Sequence, residues 1–245
     1  MQGIILAGGR GTRLAPYATI FPKPLLPIGD VPILDVVIRQ LARHGIQQLT
    51  MAVGHLAELL MAYFADGSKY GVELSYAREV EPLGTAGPLG SIPGLDETFL
   101  VMNGDILTTL DYARLIAAHR QSGAIATIAA HRRNVYIDFG VIEAHEGLEV
   151  AAYHEKPTQQ YLVSMGIYIF EPAILRFIHP GKKLDFPALV QRLLQAKIKV
   201  ALYPSEDFWL DIGRPDDYHK AIEVFAQQPD MFLGESPLPG ALPQE

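Results

Sequence analysis

The chain contains no cysteine among its 245 residues. Disulfides and thiolate zinc sites are therefore excluded. Long apolar runs are also missing: no stretch approaches the roughly 18 apolar residues of a membrane-spanning helix. The N-terminus has no basic leader region, and its apolar run breaks at Gly8-Gly9. No signal peptide is read, and a soluble cytoplasmic protein that binds no membrane is expected. Positive charge is scarce. Lys and Arg number 20 against 27 Asp and Glu, a formal net charge of −7, which argues against a general nucleic-acid or anionic-membrane binder. The histidines are scattered, so no helical His pair for a metal exists. Two common phosphate patterns fail as well. The single Gly-Lys pair, Gly181-Lys182, has Arg176 where a P-loop needs glycine. A dinucleotide fingerprint through Gly9 and Gly11 meets Leu14 at its last position.

What is present begins at residue 3. Gly3-Ile4-Ile5-Leu6-Ala7 is a short apolar run, β-branched at its centre, and reads as a buried strand. It stops at Gly8 and Gly9, with Gly11 close behind. Such a turn can take φ > 0 and bring backbone N–H groups round an anion. Arg10 and Arg13 flank it, and Lys23 follows in Pro22-Lys23-Pro24. A strand, a glycine turn and fixed cations in an acidic chain make a triphosphate site, with Leu6, Ala7, Gly8, Gly9, Gly11, Thr12, Arg13 and Lys23 as its residues.

Downstream, strand and helix patterns alternate. A helix is expected over 32–44, with an apolar stripe at Ile33, Leu34, Val37, Ile38 and Leu41, Asp30 as N-cap and Gly45 as its end. Strands are expected at 48–53, 72–77, 99–102 and 125–130, with helices at 56–64 and 110–121. This alternation specifies an α/β fold, a doubly wound, mostly parallel Rossmann-like sheet with helices on both faces. Ligands then bind at the carboxyl ends of the strands. Short strands at 139–143, 150–154 and 162–170 follow, then helices at 172–177, 187–194 and 216–225, with strands at 198–203 and 209–211. The expectation is one domain over 1–227, its halves 1–131 for a nucleotide and 132–227 for a second substrate, and a Pro- and Gly-rich tail over 228–245.

Four further stretches carry chemistry. Gly84-Thr85-Ala86-Gly87 allows close backbone contact with a flat ligand. Asn103-Gly104-Asp105 puts a carboxylate at a strand end, which suits Mg²⁺. Asp211, behind Trp209-Leu210, is costly to bury unless paired or bound to metal. Glu155-Lys156-Pro157 follows a strand and offers a single cation.

Gly9-Arg10-Gly11-Thr12-Arg13-Leu14, Pro16 and Pro22-Lys23-Pro24 together resemble the signature of sugar-phosphate nucleotidylyltransferases. Relatives usually carry threonine where this chain has Ala18. The Glu81–Leu89 segment is most similar to mannose-1-phosphate guanylyltransferases. The resemblance covers about residues 1–225 and implies an enzyme that joins an NTP to a sugar 1-phosphate and releases pyrophosphate. It implies catalytic roles for Arg13, Lys23 and Lys156, base and sugar reading at Gly84, Thr85 and Ala86, and Mg²⁺ on Asp105 and Asp211. It also implies sugar-phosphate contacts at Asn103, Gly140, Glu155, Lys156 and Ser164, the last often asparagine in relatives. GTP with mannose 1-phosphate is the expected pair. The open alternatives are dTTP, UTP or CTP with glucose 1-phosphate or another sugar 1-phosphate, and a non-catalytic regulatory subunit. A homo-oligomer is compatible with all of them.

Overall fold

The computed structural model describes residues 1–15 and 17–234. Pro16 of the loop motif, and 235–245 of the expected tail, lie outside the described residues. The strands are β1 (Gln2–Leu6), β2 (Pro27–Ile28), β3 (Val31–Pro32), β4 (Gln48–Val53), β5 (Glu73–Arg78), β6 (Phe99–Asn103), β7 (Ile106–Thr108), β8 (Ala126–Tyr136), β9 (Val141–Ala144), β10 (Val150–His154), β11 (Thr158–Phe170), β12 (Val200–Ser205) and β13 (Trp209–Asp211). The helices are α1 (Ile33–Arg43), α2 (Ala57–Phe64), α3 (Tyr112–Ser122), α4 (Phe186–Gln195), α5 (Pro215–Gln227) and α6 (Pro229–Leu233).

Seven strands form one sheet in the order β12-β8-β11-β6-β1-β4-β5. All neighbours are parallel except the two pairs made by β11. Side chains alternate between the faces, as strand geometry requires. Ile5, Leu100 and Met102 join α1, α2 and α3 in one core, while Ile4, Phe99 and Val101 join α4 in another. The sheet is therefore covered on both sides, as the strand–helix alternation predicts.

The chain runs outward from β1 through β4 to β5, then returns to place β6 on the other side of β1. That reversal opens a crevice beyond the carboxyl ends of β1 and β6, the usual ligand position of such sheets. Leu6 stands in register with Asn103 there, so the glycine loop and Asn103-Gly104-Asp105 leave neighbouring strands side by side.

Three local expectations change. The N-cap position of α1 is Pro32, not Asp30, because Val31–Pro32 pairs with Pro27–Ile28 in a tight hairpin. The strand expected to stop at 130 runs on to Tyr136, where it pairs with Thr158–Ser164 as an exposed arm. Residues 229–233, which fall in the tail expected from 228, form α6 instead. Its Phe232 is 1% exposed, edge-on to Phe208 and stacked on Phe225.

A third core joins Leu14, Ala18, Leu26 and Ile28 to Tyr218, Phe225 and Phe232. The Tyr218 hydroxyl also donates to the Pro27 carbonyl at 2.7 Å. The segment carrying Arg13 and Lys23 is thus fastened to the C-terminal helices. Phe232→Ala should lower the unfolding free energy by about 3–5 kcal/mol, the cost of emptying a buried phenylalanine site. Urea denaturation followed by circular dichroism reads it, and an unchanged midpoint would show that α6 adds nothing to the fold.

Candidate active site

Of the residues singled out in the sequence, Leu6, Ala7, Gly8, Gly9, Gly11, Thr12, Arg13, Lys23, Gly84, Thr85, Asn103 and Asp105 line one cleft of about 400 Å³ at the crevice beyond β1 and β6. Gly11 has φ 62° and caps a single turn at Thr12–Leu14. A Cβ on Gly11 would stand 2.9 Å from the Ala18 methyl and 3.2 Å from the Lys23 Cβ. Glycine here lets the Lys23 stem pass, and Ala18 is a buried packing partner of the loop. Gly9 meets nothing within 4 Å and opens to the cleft.

The centre of the cleft is electrostatic. Lys23 is 9% exposed, and its ammonium donates to Asp105 Oδ2. The other oxygen, Asp105 Oδ1, is buried with no hydrogen-bond partner among the described residues. β13 pairs antiparallel with β7, which puts Asp211 opposite Ile106, and the Ile212 N–H donates to the Asp105 carbonyl at 3.1 Å. The two aspartates are thereby held together. Burial, and next the charge of Asp105, raises the Asp211 carboxyl above the usual aspartate range, against the opposing pull of Lys23 and Arg13. A Cβ on Gly213 would lie 3.5 Å from Asp211 Oδ2 and 3.7 Å from Arg13 Nη1, so that residue sits between carboxylate and guanidinium.

The Gly84–Gly87 loop has a local reason for its glycines. Gly84 is at φ 79°, and a Cβ there would meet the Leu184 carbonyl and Asp185 Oδ1 at 2.6 Å. Thr85 donates its N–H to Asp185 Oδ1 at 3.0 Å and accepts from the Phe186 N–H at 2.9 Å. Ala86 is fully buried, with its N–H on the Leu184 carbonyl, and does not line the cleft. Gly84 and Thr85 face the cleft from a loop clamped to the start of α4.

The remaining sequence-predicted residues lie apart. Lys156, at φ 44°, pairs with Asp138 at 3.1 Å on the exposed arm. Glu155 accepts from the Tyr153 hydroxyl at 3.1 Å, and Gly140 lies directly under that hydroxyl. Gly140, Glu155 and Lys156 therefore form their own group, outside the cleft lining. Ser164 starts a bulge in β11 that carries Gly166 to within reach of the Asn103 amide, at the cleft's edge. Asp211 lines an adjoining cleft that shares Arg13 and Gly213 with the first.

Glu79 was missed by the sequence reading, which began its motif at Glu81. It stands just past the end of β5, where a carboxylate at a strand's carboxyl edge was the available signal. It lines the first cleft and a neighbouring one of about 500 Å³. Its Oε2 accepts from the Leu83 N–H at 2.8 Å, and Oε1 lies where a Cβ on Gly8 would meet it at 2.8 Å. Burial raises its carboxyl above the usual glutamate range, partly offset by that N–H.

The chain resembles known proteins along nearly its whole length. The Nucleotidyl transferase family model matches residues 2–228. UTP--glucose-1-phosphate uridylyltransferase of Synechocystis is 34% identical over 91% of this chain and 62% of its own length. Mannose-1-phosphate guanylyltransferase of Mycobacterium tuberculosis is 31% identical over 98% of this chain and 67% of its own. The chain thus spans about three fifths to two thirds of the length of these relatives. The solved structure of HddC from Yersinia pseudotuberculosis, complexed with GMP-PN, superposes with a TM-score of 0.70 at 25% identity. That match covers 91% of this chain and 99% of HddC. By the family match, the identities and the shared fold, the chain belongs to the nucleotidyl transferase family, with sugar-1-phosphate nucleotidylyltransferases among its relatives.

Proposed function

We propose that the protein transfers a nucleoside monophosphate from an NTP to a sugar 1-phosphate, forming an NDP-sugar and pyrophosphate. The observation that carries this reading is the convergence of the glycine loop, Arg13, Lys23 and Asp105 on one cleft at the sheet's reversal point. The acceptor needs no general base, because a phosphomonoester is already largely dianionic near pH 7, its second pKa being about 6. One of its oxygens forms a bond to the α-phosphorus, the α–β bridging bond breaks, and pyrophosphate carries away the electron pair. Catalysis is then positioning and neutralisation of charge. The glycine loop holds the triphosphate by its backbone, while Arg13 and Lys23 offset charge on the leaving group. Lys156 serves the acceptor's phosphate from the arm, which requires exchange of its Asp138 partner for the phosphate.

Asp105 and Asp211 fit Mg²⁺. Asp105 Oδ1 is a buried acceptor with no hydrogen-bond partner among the described residues, and Asp211 is a second carboxylate beside it whose burial raises its carboxyl. Two carboxylates suit a metal that keeps waters and takes phosphate oxygens. When bound, the ion would offset the charges of triphosphate and acceptor, which otherwise repel.

GTP with mannose 1-phosphate remains the proposed pair. Glu79 supports the base. A carboxylate only accepts hydrogen bonds, and guanine's Watson–Crick edge offers two adjacent N–H donors, whereas uracil and thymine set one N–H between two carbonyls. The relatives named for UTP and GTP leave glucose 1-phosphate with UTP as the second reading.

Mg²⁺-dependent pyrophosphate release over a grid of NTPs and sugar 1-phosphates tests the pair. GTP with mannose 1-phosphate should lead by about 100-fold, or about 2.7 kcal/mol, and Glu79→Gln should erode most of the preference for GTP. A lead by another pair would overturn the base assignment, and silence across the grid would overturn the reaction. Lys23→Met, which keeps the buried stem, should lower turnover by roughly 10²–10³-fold; a variant within threefold of the parent removes Lys23 from the mechanism. Asp211→Asn should lose most metal-dependent activity yet melt higher than the parent at pH 7 in chelator. The folded chain holds the Asp211 proton more tightly than the unfolded one, so ionisation costs folding free energy at neutral pH. Below about pH 4, where both states are protonated, the advantage should vanish. Equal melting curves at pH 7 would refute that burial cost.

A further inference from the structure

The cleft next to the nucleotide site has about 660 Å³ and lies between β8 of the arm, β13 and the start of α5. Its wall carries Arg13, Arg132, Arg133, Arg214 and Lys220 against two carboxylates, Asp211 and Asp217, in a chain of net charge −7. Arg132 is engaged by Glu206 at 2.7 Å and by Gln160 at 3.2 Å. Arg13, Arg133, Arg214 and Lys220 have no ion-pair partner among the described residues. Arg214 is also the N-cap residue of the 13-residue α5, so the positive end of that helix meets the same wall. His131, its ring tilted against Trp209 in this wall, keeps a buried Nδ1 with no hydrogen-bond partner among the described residues.

Four cations without an ion pair among the described residues, gathered round one concavity in an acidic protein, are a focused positive field. A structural role would leave them paired with the neighbouring carboxylates. The cleft also communicates with the reaction centre, because Arg13 and Gly213 line both.

We propose that this second cleft binds a phosphate-bearing anion through Arg133, Arg214 and Lys220, delivering it to or receiving it from Arg13. Its place in the reaction rests on the nucleotidylyl transfer proposed above, whereas the binding itself does not. Two sources share this chemistry: the pyrophosphate that leaves, and the phosphate of the sugar acceptor that arrives. Both must pass the Asp105–Asp211 region without sharing one set of charges, since two anions on the same cations repel. A second group of cations adjoining the first meets that requirement.

Calorimetric titration of the full chain with two probes, inorganic pyrophosphate and mannose 1-phosphate, tests the site without needing turnover. The variant is Arg133→Gln/Arg214→Gln/Lys220→Gln. All three side chains are exposed, and its circular dichroism and melting curve should match the parent. A roughly tenfold weaker pyrophosphate affinity, with mannose 1-phosphate within twofold, assigns the cleft to the leaving group. The reverse pattern assigns it to the acceptor. The affinity that falls should also be the more salt-sensitive one in the parent, as expected for exposed cations. Affinities for both probes within threefold of the parent overturn the proposal, even if the substrate grid shows full activity. A silent grid with a tenfold loss in either titration would instead sink the reaction and leave the anion site standing.

Discussion

The structure depends on keeping two carboxylates and a nearly buried lysine together at the carboxyl edge of the sheet. An ammonium with as little water as Lys23 must be paired, because the cost of stripping its hydration is otherwise unmet. Asp105 supplies the pair and is left with one buried oxygen unsatisfied. Asp211 then adds a second negative charge that its surroundings resist. Such an arrangement does not minimise folding free energy. It persists because the backbone fixes it from several directions: Asp211 is set opposite Ile106 by β-pairing, and Ile212 is bonded to the Asp105 carbonyl. The loop carrying Lys23 is in turn packed into the core that α5 and α6 complete. Local cost of this kind, held by a rigid frame, is what proteins tolerate at functional sites.

Much of this frame was legible because periodicity is a physical demand. β1 and β6 bury both faces and so read as short apolar runs, β4 does so apart from Thr50, and α1 shows its stripe because Leu34, Val37, Ile38 and Leu41 meet the sheet while Ile33 and Val36 pack into the third core. The parts that were not legible lack that demand. From His131 to Tyr136, β8 leaves the sheet's covered region and is solvated, so its polar sequence carries no period although its hydrogen bonds continue. Asp30 has the chemistry of an N-cap, but the hairpin Pro27–Pro32 sets where the helix can begin. A contact between distant segments overrode a local preference there, as it did for Phe232, whose value lies in Phe208 and Phe225.

The site divides along the same line. Residues bound to strand ends, from Leu6 to Lys23 and at Asn103 and Asp105, could be placed from sequence because topology alone brings them together. Glycines were harder to interpret. Gly84 was read as making room for a ligand, yet its φ and its contact with Leu184 and Asp185 would demand glycine with no ligand at all. Glu79 escaped notice because its significance comes from Gly8, in the loop that follows β1. Lys156 is in the expected motif but on an arm whose position relative to the cleft no spacing in the sequence encodes.

Arg13 joins these threads. Among the described residues it is the one cation that lines both the first cleft and the arginine-lined cleft, and it opposes the rise of the Asp211 carboxyl. In an in-line displacement the entering and departing oxygens stand on opposite sides of the phosphorus. Both belong to multiply charged anions, so one basic pocket serving both would bind each at the expense of the other. On the transfer proposed above, two clefts that meet at a single guanidinium would remove that competition, the shared cation standing where charge is redistributed and the unshared ones keeping the incoming and outgoing groups apart.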